Sequence, residues 1–131
     1  MPVLRYVVVL LAIIALAWPS APPGARTRLA GSEWRVVEVD GAKVSGAGTV
    51  RFTQTSVRGK AQCNAFLGSF RESERGIEIG GLNQTPMRCQ ASMDLARALL
   101  DSLVRARAYR VDGATLLLID GEGKAVARLS S

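Results

Sequence analysis

The sequence contains no histidine and only two cysteines among its 131 residues. Zinc and copper sites usually draw on histidine and cysteine side chains, so a site of that kind lacks its ordinary ligands here. The two cysteines, Cys63 and Cys89, are too far apart to form a CxxC pair, which disfavours thioredoxin-like redox chemistry. We therefore expect neither a metal nor a cofactor.

The lack of histidine also restricts catalysis. General acid–base chemistry would fall to aspartate, glutamate, lysine or tyrosine. A serine nucleophile would lack both its usual base and a G-x-S-x-G turn. The glutamates alternate out of predicted strands or lie in turns, and no two of them stand as an evident acid–base pair; they are Glu33, Glu38, Glu72, Glu74 and Glu78. The sequence predicts a protein that is not an enzyme and has no catalytic residues.

Aromatic residues are also scarce, at 5% of the chain, while the formal net charge is +6. A basic surface can attract nucleic acid or lipid head groups. Here the cations are spread along the chain without a lysine- or arginine-rich run, and few aromatic side chains are present on which bases could stack. We expect no nucleic-acid partner, and peripheral membrane association stays open.

The N-terminal segment has the features of an export signal. Arg5 precedes an uninterrupted apolar run at 7–17, and Ala15-Leu16-Ala17 has the small-x-small form of a cleavage site. We predict a signal peptide at 1–17, followed by a flexible, proline-rich leader at 18–28. No cysteine near the cleavage site offers an acceptor for a lipid, so the protein is expected to be periplasmic or secreted, with an uncleaved anchor as the alternative.

Export makes the cysteine count informative. Two cysteines in an oxidising compartment pair more often than they stay free. A Cys63–Cys89 disulfide would contribute roughly 3 to 4 kcal/mol to stability in the chain-entropy model, a large share for a domain of this size. A redox or metal role for these cysteines is the alternative.

The remainder of the chain predicts an α+β fold that is mainly β. The run Gly59–Phe70 alternates apolar and polar residues on either side of a predicted turn at Cys63-Asn64. Asp112-Gly113 is a hairpin signal. One helix is predicted after Cys89, with its apolar stripe formed by Met93, Ala96, Leu99, Leu100 and Leu103. About eight short strands with one packed helix favour a small antiparallel, barrel-like sheet.

Several ordered blocks resemble the META domain (HslJ-like) family. They are an early tryptophan strand at Ser32-Glu33-Trp34, the block Gly59–Phe70 around Cys63-Asn64, the block Thr85–Cys89 before the helix, and a terminal hairpin from Tyr109 to Leu118. The resemblance covers about Leu29 to Leu129, and we take residues 29–131 as one domain. Two positions depart from the family pattern: Gln62 stands where a glycine is usual, and Phe70 replaces the more frequent tyrosine.

The resemblance implies a barrel-like fold in exported bacterial proteins that are loosely linked to stress tolerance and envelope integrity. It brings no catalytic residues. The motif residues Gly59, Asn64, Phe66, Gly68, Thr85 and Met87 are expected to build the domain and not a reaction site. We expect a non-enzymatic protein that binds another protein or an envelope component; a small-ligand-binding barrel and a hydrolase inhibitor are the alternatives.

Export and pairing of the cysteines are tested together by intact-mass spectrometry of the exported protein, with thiol labelling before and after reduction. We expect a mass that matches cleavage near Ala17, and thiols that react only after reduction and unfolding. Thiols that react in the native protein would contradict the disulfide. An uncut N-terminus would support the membrane-anchor alternative.

Overall fold

The computed structural model describes residues 28–44, 48–85 and 94–131. The predicted signal peptide, residues 18–27 of the leader, Met87, Cys89 and Met93 lie outside these ranges. The described elements are β1 (Glu33–Val39), β2 (Ala42–Lys43), β3 (Gly48–Phe52), β4 (Ser56–Ala61), β5 (Asn64–Ser73), β6 (Gly76–Gln84), α1 (Asp94–Arg105), β7 (Ala106–Asp112), β8 (Thr115–Asp120) and β9 (Ala125–Ser130). The mainly β fold with one packed helix is thus confirmed. The structure has one strand more than expected, the two-residue β2.

All the strands belong to one sheet, in the order β6-β5-β4-β3-β1-β9-β8-β7, with β2 paired to β1. Every pairing is antiparallel. The sheet curls but does not close through hydrogen bonds, because β6 and β7 are its two edges. It is barrel-like, with an open seam between those edges.

The curl gives the sheet an inner apolar face. Inward side chains alternate along β1, β3 and β5, so Trp34, Val50, Phe52 and Phe70 are buried while their sequence neighbours are exposed or half-buried. The Phe52 and Phe70 rings pack with centroids 5.0 Å apart. Burial of this face is the main source of the fold's stability.

The helix α1 packs its apolar side into the concave face of the sheet. Ala96, Leu99 and Leu103 are buried there, and the hydroxyl of the buried Ser102 donates to the Leu99 carbonyl oxygen over 2.7 Å. The helix contacts strands from both halves of the sheet. No helix among the described residues is long and apolar enough to cross a membrane.

One predicted turn differs from the structure. The turn between β4 and β5 is formed by Gln62 and Cys63, and the residue with left-handed backbone angles is Gln62, at φ 58°, not Asn64. Cys63 lies within this turn, as predicted. Asn64 instead begins β5 and is buried. Gln62 is the position where the family pattern has glycine, which adopts a positive φ without strain.

The seam of the sheet depends on a glycine at the start of β6. Gly76 has a φ of 135°, and a Cβ atom added there would lie 2.2 Å from the carbonyl oxygen of Arg107 on β7. The two edge strands can therefore approach this closely only while residue 76 has no side chain.

We expect Gly76→Ala to lower the free energy of unfolding by at least about 2 kcal/mol, since it adds a clash with backbone to a disfavoured φ. Gly113→Ala is the matched control, because Gly113 also has a positive φ, of 60°, but open space around it. That change should cost only about 1 kcal/mol. Urea denaturation measures the free energy of unfolding of both variants. Equal losses of stability would contradict the close approach of β6 and β7 at Gly76.

Candidate functional site

The two sequence blocks that carry the cysteines meet in the structure through Asn64 and Thr85. The Thr85 hydroxyl donates to Oδ1 of Asn64 over 3.1 Å and accepts the Ala65 N–H over 3.2 Å. The Thr85 N–H in turn donates to the Ala65 carbonyl oxygen over 2.9 Å. Because Asn64 is only 1% exposed, these bonds satisfy a polar side chain in the core. The role of both residues is structural.

The other predicted motif residues are also parts of the framework. Gly59 pairs with Val50 on β3 and with Phe66 on β5, and a Cβ atom at Gly59 would lie 1.9 Å from the Thr49 carbonyl oxygen. Phe66 is buried, at 3% exposure. Gly68 lies where the register between β5 and β6 shifts. Met87 lies outside the described residues.

The position of Cys63 is compatible with the predicted disulfide. Cys63 immediately precedes Asn64, which bonds to Thr85, and Cys89 follows Thr85 by four residues. The four-residue connection from Thr85 to Cys89 spans at most about 14 Å when extended. Cys89 itself is not among the described residues, and its pairing with Cys63 stays a prediction.

A carboxylate links three parts of the fold at the rim of the core. Glu72, on β5, accepts the Leu29 N–H over 3.1 Å with one oxygen and the Tyr109 hydroxyl of β7 with the other. Burial, followed by the hydrogen bond to Glu72 and the charge of that carboxylate, raises the pKa of Tyr109 from 10.0 to about 12. The bond joins β5 to β7, the far edge of the sheet.

The outer face of the sheet carries a groove of about 440 Å³ across β1, β3, β4 and β5. We call it the outer groove. It is lined by Glu33, Thr49, Arg51, Arg58, Gly59, Lys60, Ala65, Phe66 and Leu67. The register of the strands explains why these residues lie together. Glu33, Arg51, Arg58 and Leu67 form one row of direct cross-strand neighbours, and Thr49, Lys60 and Ala65 form the next outward row.

The outer groove has an excess of positive charge. Arg51, Arg58 and Lys60 are exposed, and none of them forms an ion pair within 4 Å with another residue of the described ranges. Arg105 pairs with Asp40 over 2.8 Å and Arg128 with Glu38 over 3.8 Å, but most other exposed arginines of the described ranges also lack such a pair, so what distinguishes the groove is that its cations lie together. Arg51 and Arg58 lie directly opposite each other on neighbouring strands, an arrangement that is unfavourable for like charges.

The cations of the groove can bind an anion. Guanidinium groups hold anions through charge-assisted hydrogen bonds but do not exchange protons near neutral pH. Within residues 28–44, 48–85 and 94–131, no group of three histidine, cysteine, aspartate or glutamate side chains could hold a metal ion. The arrangement is suited to an anionic ligand.

Sequence reasoning did not find the outer groove. Its cations are spaced as single residues that alternate with apolar ones, which is the usual pattern of a solvated strand face. The available signal was that Arg51, Arg58 and Lys60 all occupy outward positions of two successive strands. Only the register between those strands shows that the three side chains lie together.

Comparison with known proteins agrees with this architecture. The family model of the META domain matches residues 27–131. The chain belongs to the META domain family. A search of curated proteins found no match.

Solved structures share the META fold at low sequence identity. A protein from Burkholderia xenovorans has a TM-score of 0.61 at 18% identity, over 87% of this chain and 99% of that one. A DUF4847 family protein from Bacteroides vulgatus has a TM-score of 0.59 at 15% identity, over 78% of this chain and 93% of that one. A third structure has a TM-score of 0.61 at 19% identity, over 78% and 90% of the two chains. At these identities the likeness shows the fold alone.

The raised pKa of Tyr109 predicts a loss of stability in alkali. The folded protein holds this proton more tightly than the unfolded chain, so the stabilisation is complete below about pH 10 and is lost as the pH rises towards about 12. Melting temperatures measured from about pH 8 to pH 12 should fall less steeply for Tyr109→Phe than for the unchanged protein. Parallel curves for the two proteins would contradict the Glu72–Tyr109 bond.

Proposed function

We propose that this META-domain protein is an exported, non-enzymatic binding module that attaches to an anionic component of the cell envelope and so supports envelope integrity or stress tolerance. The observation that carries the proposal is the outer groove, where Arg51, Arg58 and Lys60 are exposed without an ion-pair partner among the described residues. Unpaired cations gathered on one face attract anionic partners.

Export is supported by the sequence of the N-terminal segment and by the two cysteines. An apolar run at 7–17 after Arg5 is typical of secretory signals. The contact between Asn64, which follows Cys63, and Thr85, four residues before Cys89, is compatible with the disulfide expected in an oxidising compartment. The predicted location, periplasmic or secreted, would give the groove access to envelope anions.

An anionic envelope component is preferred over the other candidates for physical reasons. The charge lies on the strands of the sheet and not on a projecting loop, which argues against a hydrolase inhibitor that inserts a loop. A ligand within the barrel would compete with the side chains of α1 and of the inner sheet face, which fill the described core.

The test uses the full chain, expressed with its own N-terminus in a Gram-negative host and purified after export. Co-sedimentation with isolated envelopes is compared for the unchanged protein and the triple variant Arg51→Gln, Arg58→Gln, Lys60→Gln. Three lost surface contacts of about 0.5 to 1 kcal/mol each predict binding that is weaker by about tenfold or more. Added salt should weaken the binding of the unchanged protein.

The matched control removes the same charge elsewhere. Arg75, Arg97 and Arg110 are exposed and lie outside the groove, so their triple glutamine variant should bind envelopes as the unchanged protein does. If both triple variants lost envelope binding equally, the effect would depend on net charge alone, and the proposal would be overturned. An unchanged protein that does not bind envelopes would overturn it as well.

A further inference from the structure

We infer that the outer groove holds one molecule of an anionic amphiphile, with a phosphate or carboxylate head group and a short apolar portion. This inference rests on the proposed function, since it assigns to the same groove a ligand class and an orientation. Three features of the groove support it: the placement of its cations, the apolar surface beside them, and its volume.

The head group would lie between Arg51 and Arg58. These residues are direct partners in the β3–β4 register, so their guanidinium groups extend from adjacent strands on the same face. Planar guanidinium groups bind phosphate and carboxylate oxygens in pairs. An anion placed between the two arginines would also relieve the repulsion between them. Lys60, on the next outward row of β4, adds a third positive charge.

The apolar portion would lie towards β5. Leu67 is 54% exposed and stands directly opposite Arg58 in the β4–β5 register. Ala65 occupies the next outward position on β5, and the Gly59–Phe66 pair lies between these rows. Apolar surface therefore continues from the cations in one direction only. On the other side of Arg51 lies Glu33, its direct partner on β1. Because the Glu33 carboxylate would repel an anion, it fixes the orientation of the ligand.

The volume of the groove indicates a single molecule. About 440 Å³ falls within the usual range for pockets that bind small ligands, roughly 300 to 1,000 Å³. We therefore assign the groove to one molecule of the amphiphile.

The probes are octyl phosphate, octyl glucoside and inorganic phosphate, each titrated calorimetrically into the exported, purified protein. Octyl phosphate should bind at least tenfold more tightly than either of the others, because only this probe has both the anionic head and the apolar chain. Equal affinity for inorganic phosphate would show a bare anion site. Equal affinity for octyl glucoside would show an apolar site without anion recognition. Either result would overturn the inference.

Two variants locate the ligand. Arg58→Gln should weaken octyl phosphate binding about tenfold, as expected when a charge-assisted hydrogen bond is lost. Ala65→Phe should abolish binding without changing any charge, because Ala65 is exposed on a strand and the added ring would fill the groove. Arg110→Gln, on β7, is the matched control and should bind like the unchanged protein. Circular dichroism verifies that each variant is folded. Unchanged affinity in the folded Arg58→Gln variant would overturn the inference.

The outcomes separate the ligand from the envelope role. Octyl phosphate binding that depends on Arg58 and Ala65, in a protein that does not sediment with envelopes, would support the ligand and overturn the proposed function. Envelope binding that depends on the groove cations, without affinity for octyl phosphate, would support the proposed function and overturn the ligand.

Discussion

The fold depends on one constraint: a nine-stranded sheet with a single apolar face can bury that face only by curling around it. The curl brings the edges β6 and β7 together, and the backbone closes on itself where Gly76 meets the carbonyl group of Arg107. Glu72 reinforces this closure, because its two oxygens join β5 to Tyr109 on β7 and to the N–H of Leu29. The helix then fills the enclosed space with Leu99 and Leu103.

The same curl shapes the outer surface. Gly59 lets β3, β4 and β5 approach closely, since a Cβ atom there would overlap the Thr49 carbonyl oxygen. Residues on either side of Gly59 and of its partner Phe66 point outwards, so the cations of β3 and β4 border the outer groove with Leu67. Gly59, which was predicted to be a structural residue, therefore also lines the candidate binding site. At this position a single residue serves both the framework of the sheet and the site.

Local features of the fold could be predicted from the sequence. The hairpin signal Asp112-Gly113 lies where β7 turns into β8, with Gly113 at positive φ. The helix was predicted from its apolar spacing, and the alternation within Gly59–Phe70 predicted the two strands that are β4 and β5. These signals act within a few residues of one another, so periodicity and turn chemistry determine them without any knowledge of distant contacts.

Features that depend on long-range pairing could not be predicted. The Gln62 turn was misplaced because the buried bond between Asn64 and Thr85, 21 residues apart, holds Asn64 in the strand. The outer groove was missed for the same reason, since the proximity of Arg51 and Arg58 follows from strand register and not from sequence spacing. Membership in the META family specifies the framework, through Gly59, Asn64 and Thr85. A binding specificity would come from the outward residues between them, where the framework fixes the backbone and leaves the side chain free to differ.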